Sequence, residues 1–276
     1  MRVLITGAGG QLGHDLQAVL DDEEVDARDH RALDISNEAA VLAVVREIRP
    51  HWIINAAAFN DVDGAEIAED EAFAVNARGP ANLAGAAAAV DASLIHISTD
   101  YVFDGTKGRA YTEDDQPNPL SVYGRSKYQG ERSVLESTAS VCVLRTAWLY
   151  GVHGKNFVKA ILERAKEGRP LDVVADQVGS PTTTRDLAEA INRLIRTPAR
   201  GLFHVANAGA CSRYEFAKAI VRGAVEVRPI TSAQAARRAL RPANSALTSL
   251  RWEATGLPPL RTWEAALSDF LDSHFA

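Results

Sequence analysis

Over the first 150 residues, short runs of consecutive apolar and β-branched residues alternate with longer stretches whose apolar positions recur every three or four. VLIT (3–6), a helical pattern from about Gly10 to Leu20, and VDAR (25–28) read as a β–α–β opening. Ser36 is placed to cap a helix through EAAVLAVVREIR that stops at Pro50, and WIIN (52–55) supplies the next buried strand. An Ala-rich segment from about Ala68 to Val90, including AGAAAAV (84–90), reads as a close-packed helix and precedes LIHIS (94–98). A loop, a helix around Tyr123 and VCVLR (141–145) complete the series. Apolar strands separated by helices imply an α/β fold, doubly wound, with a parallel sheet covered on both faces.

Beyond about Trp148 the alternation loosens and the punctuation changes to DQVGSPTTTRDL, HVANAG and RPANSAL. One unit is therefore expected over 1–148. A smaller α/β unit is expected over 149–276, with some segments returning to pack on the first. In TWEAALSDFLDSHF, Trp263, Ala266, Leu267, Phe270 and Leu271 fall on one helical stripe, a core-facing surface.

With 276 residues, 46% of them hydrophobic, the chain can bury a substantial core. A net charge of −6 removes the attraction that a nucleic-acid binder or a polybasic membrane anchor needs, so neither nucleic acid nor membrane is expected as a partner. A small-molecule ligand fits better. Cys142 and Cys211 belong to no CxxC or Cys/His pattern and read as buried, inert thiols. MRVLITGAGG has no secretory apolar core, and a cytoplasmic location is expected.

TGAGGQLG follows the first strand and opens the first helix, with Gly7, Gly10 and Gly13 spaced three apart around Gln11 and Leu12. Glycines there permit a tight turn, let backbone N–H groups approach a pyrophosphate and let helix pack on sheet. The alternative is a packing turn that binds nothing. The ribose reader belongs at the end of the second strand, in RDHRALDI. Asp29 suits an adenosine 2′-hydroxyl, and so NADH, whereas Arg28 or Arg31 suits a 2′-phosphate, and so NADPH; both cofactors stay open. Asp34 and Ile35 are placed to flank the adenine.

In SVYGRSKYQGE (121–131), Tyr123 and Lys127 stand four apart, on one helical face. An ammonium beside a phenol favours phenolate and brings the group toward neutral working range, and the same lysine can reach a ribose hydroxyl. Ser98, Thr99, Asp100 and Tyr101 end the fourth long strand, at the sheet edge where open α/β folds bind ligands.

TGxxGxxG, NAAA (55–58), STDYVFDG (98–105) and YGRSK (123–127) together resemble the extended short-chain dehydrogenases/reductases, Rossmann-type enzymes that act mainly on nucleotide sugars. DVDGAE (61–66), RTAWLYG (145–151), NF (156–157), DQVGSPT (176–182) and RPANSAL (241–247) resemble the dTDP-4-dehydrorhamnose reductase group of that family, in the expected order along nearly the whole chain. The resemblance implies reduction of the C4 ketone of a dTDP-sugar, dTDP-4-dehydro-L-rhamnose, with NADPH or NADH. Tyr123 is the implied proton donor, Lys127 the residue that tunes it and holds the nicotinamide ribose, and Thr99 the hydroxyl on the reacting oxygen, with Ser98 its rival. Ala56, Ala57 and Ala58 are implied at the cofactor. Asp100, Tyr101 and Trp148 are implied at the sugar, and Val62, Arg241 and Asn244 on the substrate side, with 1–148 the implied dinucleotide-binding domain and 149–276 mainly substrate-binding.

Related sugar-nucleotide dehydratases carry an Asp-Glu pair after the threonine. Tyr101 stands in the second position here, which disfavours elimination. Asn60 and Gly64 depart from the group's usual hydroxyl and lysine. Some members are Mg²⁺-linked dimers; Asp15 matches one such carboxylate, but Arg185 stands where another acid is sought, so no metal is expected, and a homodimer stays open. The competing readings are a reductase or epimerase of another nucleotide sugar, and a non-catalytic subunit resembling the β-subunit of methionine adenosyltransferase.

Overall fold

A computed structural model describes residues 1–275. Arg2–Thr6 (β1), Glu24–Arg28 (β2), Trp52–Asn55 (β3), Ser93–Thr99 (β4) and Ser140–Thr146 (β5) alternate with helices Gln11–Val19 (α1), Glu38–Ile48 (α2), Val62–Ala65 (α3), Glu69–Phe73 (α4), Gly79–Ala88 (α5) and Val122–Leu135 (α6). The chain continues through β6 (Leu149–Tyr150), α7 (Phe157–Ala165), β7 (Leu171–Val174), β8 (Val178–Gly179), β9 (Thr182–Thr183) and α8 (Thr184–Leu194) to β10 (Gly201–His204), which returns to pair with β5. The result is a six-stranded parallel sheet in the order β10-β5-β4-β3-β1-β2. Strand order reverses between β1 and β3, and it is there, beyond the strands' carboxyl ends, that a doubly wound sheet opens a crevice.

The central strands are apolar on both faces because both are covered. Val3, Ile5, Ile95, Ile97, Cys142 and Leu144 meet Leu12 and Leu16 of α1 and Leu187 and Ile191 of α8. Leu4, Ile53, Leu94, Val141 and Val143 meet α2, α5 and α6 through Val41, Leu83, Ala87 and Val134. A separate core gathers Tyr150, Ile161, Phe216 and, from the last helix, Trp263–His274, the stripe residues Trp263, Leu267, Phe270 and Leu271; Ala266 of that stripe is buried as well. Both cysteines are buried, and burial pushes their thiols up to about 11 for Cys142 and about 12 for Cys211. No helix among the described residues is long and apolar enough to cross a membrane.

Two local expectations change. Ser36 does not cap α2: its N–H and hydroxyl both donate to Asp34 Oδ1, at 2.9 and 2.7 Å, and Asn37 becomes the cap, accepting from Ala40 N. The Ala-rich stretch is not one helix either. A π-helical turn, Ala74–Arg78, separates α4 from α5 and turns Asn76 inward, where it bonds Phe59 N (2.8 Å), Phe59 O (3.1 Å) and Ser126 Oγ (3.0 Å). That side chain ties the loop after β3 to α6.

Residues 239–241 reach back to α3. Arg241 forks onto Asp63 at 3.1 and 2.8 Å, and Ala239 N donates to the same carboxylate at 2.9 Å. The Arg241 hydrogen bond, outweighing burial, holds Asp63 down at about 2. A carboxyl depressed in the folded state stabilises above its unfolded value, about 4, and loses that contribution as pH falls toward the folded value. Asp63→Asn should therefore melt below wild type near neutrality, with the gap closing as the pH drops from about 4 toward 2. A gap constant across that window in thermal melts would show that the ion pair adds nothing.

Candidate active site

The crevice at the β1/β3 reversal is a cleft of about 320 Å³ lined by Gly10, Gln11, Leu12, Ala56, Ala57 and Ala58 at one end and by Thr99, Asp100, Tyr123, Lys127 and Trp148 at the other. Its near wall is built by absence of side chains. Gly7 has φ 72°, and a Cβ there would lie 2.5 Å from Ala57 N; a Cβ on Gly13 would lie 2.4 Å from Gly7 O. Gly10 caps α1 without any side-chain hydrogen bond, so the first-turn N–H groups of that nine-residue helix are available to a phosphate. Thr146 Oγ1, buried on the far wall, has no partner among the described residues. This donor set and this shape fit a dinucleotide.

Around the rim at the end of β2, Asp29 stands exposed beside Gly9, its carboxylate accepting from Ala32 N at 2.9 Å. Arg28 is held by Asp26, at 2.5 and 2.9 Å, and Arg31 is exposed. The carboxylate of Asp34 is taken up by Ser36, whose side-chain and backbone hydrogen bonds lower its pKa. Ile35 is only 3% exposed, its side chain seated against Gly79 beneath this rim rather than in the cleft.

At the other end Thr99, Tyr123 and Lys127 converge through local chain logic. Ser121 caps α6 by accepting from Gly124 N (3.1 Å), and Glu66 accepts from Val122 N (2.8 Å), so the helix starts where Tyr123 faces the end of β4. Gly124 lets this turn press on the loop beyond, since a Cβ there would fall 2.3 Å from Tyr101 O. Tyr123 stands edge-on to Tyr101, with centroids 5.8 Å apart. Burial pushes that phenol well above its usual range, with the neighbouring Thr99 hydroxyl pulling the other way, so it stays protonated. The sequence led us to expect the opposite, an ammonium drawing the phenol down. Lys127, 2% exposed, instead donates to Ile97 O at 2.6 Å, and burial lowers it to about 8. Ser98 leaves the competition, because its hydroxyl turns beneath the helix to Glu131. Thr99 Oγ1 faces Asp100 Oδ1 at 3.1 Å, and Asp100 is pushed up to about 6 by burial against the hydrogen bonds of Ser245 and Thr99.

Trp148 lines the same end of the cleft with a left-handed backbone (φ 48°), a conformation that costs free energy for a bulky residue and persists only where packing enforces it. Its ring lies over Gly179 on one side, and the Arg213 guanidinium stacks 3.5 Å from its centroid. Arg213, which sequence reasoning missed, is buried beside Tyr101 and Asp100. It lines a second cavity of about 460 Å³ with Arg164, Arg237, Arg241, Gln177 and Phe157. Trp148 and Arg213 thus form the wall between the two cavities. Val62 and Asn244 line neither; Val62 opens α3, and Asn244 Oδ1 accepts from Ala246 N at 3.0 Å. The tertiary stack is what singles out Arg213, and the only local sign of it is its place at the start of the helix Arg213–Val221.

Fold and cleft together define a nicotinamide-dependent oxidoreductase of the open α/β kind. The chain belongs to the RmlD substrate binding domain family, which matches residues 1–275. It is 47% identical over 283 residues to a dTDP-4-dehydrorhamnose reductase of Mycobacterium tuberculosis, covering 98% of this chain and 92% of that one. A probable dTDP-4,6-dihydroxy-2-methyloxan-3-one 4-ketoreductase of Streptomyces antibioticus is 44% identical over 277 residues, covering 98% and 94%. The crystal structure of a Bacillus anthracis dTDP-4-dehydrorhamnose reductase in complex with NADP superposes with a TM-score of 0.96 at 43% identity, over 99% of each chain.

Proposed function

We propose that the protein reduces the C4 ketone of dTDP-4-dehydro-L-rhamnose to dTDP-L-rhamnose with NADPH or NADH. The observation that carries this reading is the convergence of Thr99, Tyr123 and Lys127 at the carboxyl end of β4, in the cleft that the N-terminus of α1 faces. When bound, the dihydronicotinamide supplies a hydride to a carbonyl carbon. Tyr123 gives its phenolic proton to the carbonyl oxygen as charge develops there, and a phenol kept protonated by burial is suited to that acid role. Thr99 orients the same oxygen through its hydroxyl. Lys127, on the face of α6 below Tyr123, holds the nicotinamide ribose.

Gly7, Gly10, Gln11, Leu12, Gly13 and Ala56–Ala58 take the cofactor's pyrophosphate side, with Asp29 and Asp34 at its adenosine end. Asp100, Tyr101 and Trp148 take the deoxyhexose. The diphosphate lies against the arginines of the second cavity, Arg213 and Arg241 foremost, because paired phosphates need several cationic donors. In this reading residues 149–276 mainly form the sugar-nucleotide side, while α8 and β10 return to the dinucleotide side.

The test is oxidation of NADPH and of NADH upon adding freshly generated dTDP-4-dehydro-L-rhamnose. Rapid oxidation is expected. Protein that binds a dinucleotide yet oxidises neither would sink this substrate and point to other keto-sugar nucleotides. Arg213→Gln, which removes one charged phosphate donor, should raise KM for the sugar nucleotide by about tenfold or more, with dinucleotide affinity nearly unchanged. An unaltered KM would take Arg213 out of the substrate's path.

A further inference from the structure

Tyr123, Lys127 and Thr99 leave unused a buried ion pair one helical turn beyond Lys127. Glu131 is 0% exposed and Arg145 2%. Arg145 donates from Nε and Nη2 to the two carboxylate oxygens at 2.9 and 2.7 Å, and Ser98 Oγ donates to the first of these. Ser98 and Arg145 are direct cross-strand partners in β4 and β5. Two neighbouring strands therefore present donors to a single carboxylate of α6. Thr99 follows Ser98 in β4, and Ile97, whose carbonyl receives the Lys127 ammonium, precedes it. A buried pair of this kind stabilises little beyond an apolar replacement of the same volume, so stability alone does not account for it.

We propose that Glu131 is a positioning residue of this site: its carboxylate, shared by Ser98 and Arg145, ties the helix of Tyr123 and Lys127 to the strand of Thr99 and is the counter-charge one turn along that helix from the Lys127 ammonium. This rests on the reductase reading above. The groups packed around Lys127 leave the electrostatic part to Glu131. Tyr123 on α6 and Tyr101 in the turn after β4 are phenols raised by burial, and Asp100 in that turn is engaged by Ser245 and Thr99. His96 on β4 is held neutral by burial, its Nδ1 3.1 Å from Asn55 Nδ2. The charge of Arg145 on β5 is spent on Glu131 itself. Burial pushes the ammonium toward neutrality, and Glu131 is the group that opposes it.

The experiment uses the full chain labelled with ¹³Cε-lysine. Lys127 is one of six lysines and is assigned by the signal missing in Lys127→Met. Glu131→Gln should lower the Lys127 titration midpoint by about one pH unit or more, since removing a neighbouring anion disfavours the charged form. The alkaline limb of kcat should move down with it, while KM for the sugar nucleotide stays within about twofold. A folded variant with an unmoved midpoint and an unmoved limb overturns the proposal. Should Glu131→Gln not fold because Arg145 is left unpaired, the carboxylate is removed in an Arg145→Met background, where the midpoint and the limb of Glu131→Gln/Arg145→Met should lie below those of Arg145→Met alone. Failure of both to fold also overturns it, because the pair is then purely structural. The NMR titration needs neither substrate nor dinucleotide, so a wild type that titrates as described but leaves keto-sugar nucleotides unreduced would fail the reductase reading separately.

Discussion

Replacing Tyr123 by phenylalanine should lower kcat by about 10²-fold or more while dinucleotide affinity stays close to wild type, as removal of a general acid does. The ring would keep its edge-on contact with Tyr101, and α6 its caps at Ser121 and Glu66, so the change is confined to one proton and one oxygen. What is lost is the phenolic proton that burial keeps on Tyr123 beside the end of β4. Steady-state turnover, paired with fluorescence titration of NADPH, separates the two effects. Turnover near wild type would remove Tyr123 from the acid role; an equal loss in binding would recast it as part of the cofactor's floor.

The second large effect is expected at Gly13. Even alanine there places a Cβ 2.4 Å from Gly7 O and 2.6 Å from Ala8 Cα, so the start of α1 must move away from the turn that precedes it. Pyrophosphate recognition depends on that approach, and Gly13→Ala should raise the NADPH Kd by about tenfold or more. Gly85→Ala is the control, because no atom lies within 4 Å of the Cβ it would add on α5. It should bind normally and melt slightly higher, as alanine is the better helix former. Wild-type affinity in a correctly folded Gly13→Ala would mean that the turn does not cradle the dinucleotide.

Features set by neighbours in sequence were legible before the fold was known. The glycine spacing, the apolar strand runs and the four-residue step from Tyr123 to Lys127 each state a local geometry, and each lies where its period placed it. The departures arise where a side chain had two suitors. Ser36 is a good cap, but Asp34 two residues earlier claims it, and nothing in helix propensity weighs that rivalry. The alanines of 68–90 suit one helix, yet Asn76 must reach Phe59 and Ser126, and the π turn is how it does so. Arg213 and the raised phenol of Tyr123 were out of reach for a different reason. The first depends on a stack with Trp148, 65 residues earlier in the chain, and the second on enclosure by the whole cleft. Trp148 could be picked from its motif, but its left-handed backbone could not.

The return of β10 to the edge of β5 has a consequence for how the molecule is made. A nascent chain that has released β5 still lacks its outer neighbour, and at about 5–20 residues per second the 58 residues from Thr146 to His204 take roughly 3–12 s to emerge. During that interval the apolar edge Cys142–Arg145 is open to any other strand, as is the guanidinium of Arg145, which the finished fold places 3.5 Å from His204 Nε2. The half of the protein that carries every residue proposed for hydride and proton transfer thus waits on the other half to close it. A ribosome stalled anywhere between those points holds an aggregation-prone sheet with its reactive side chains already encoded.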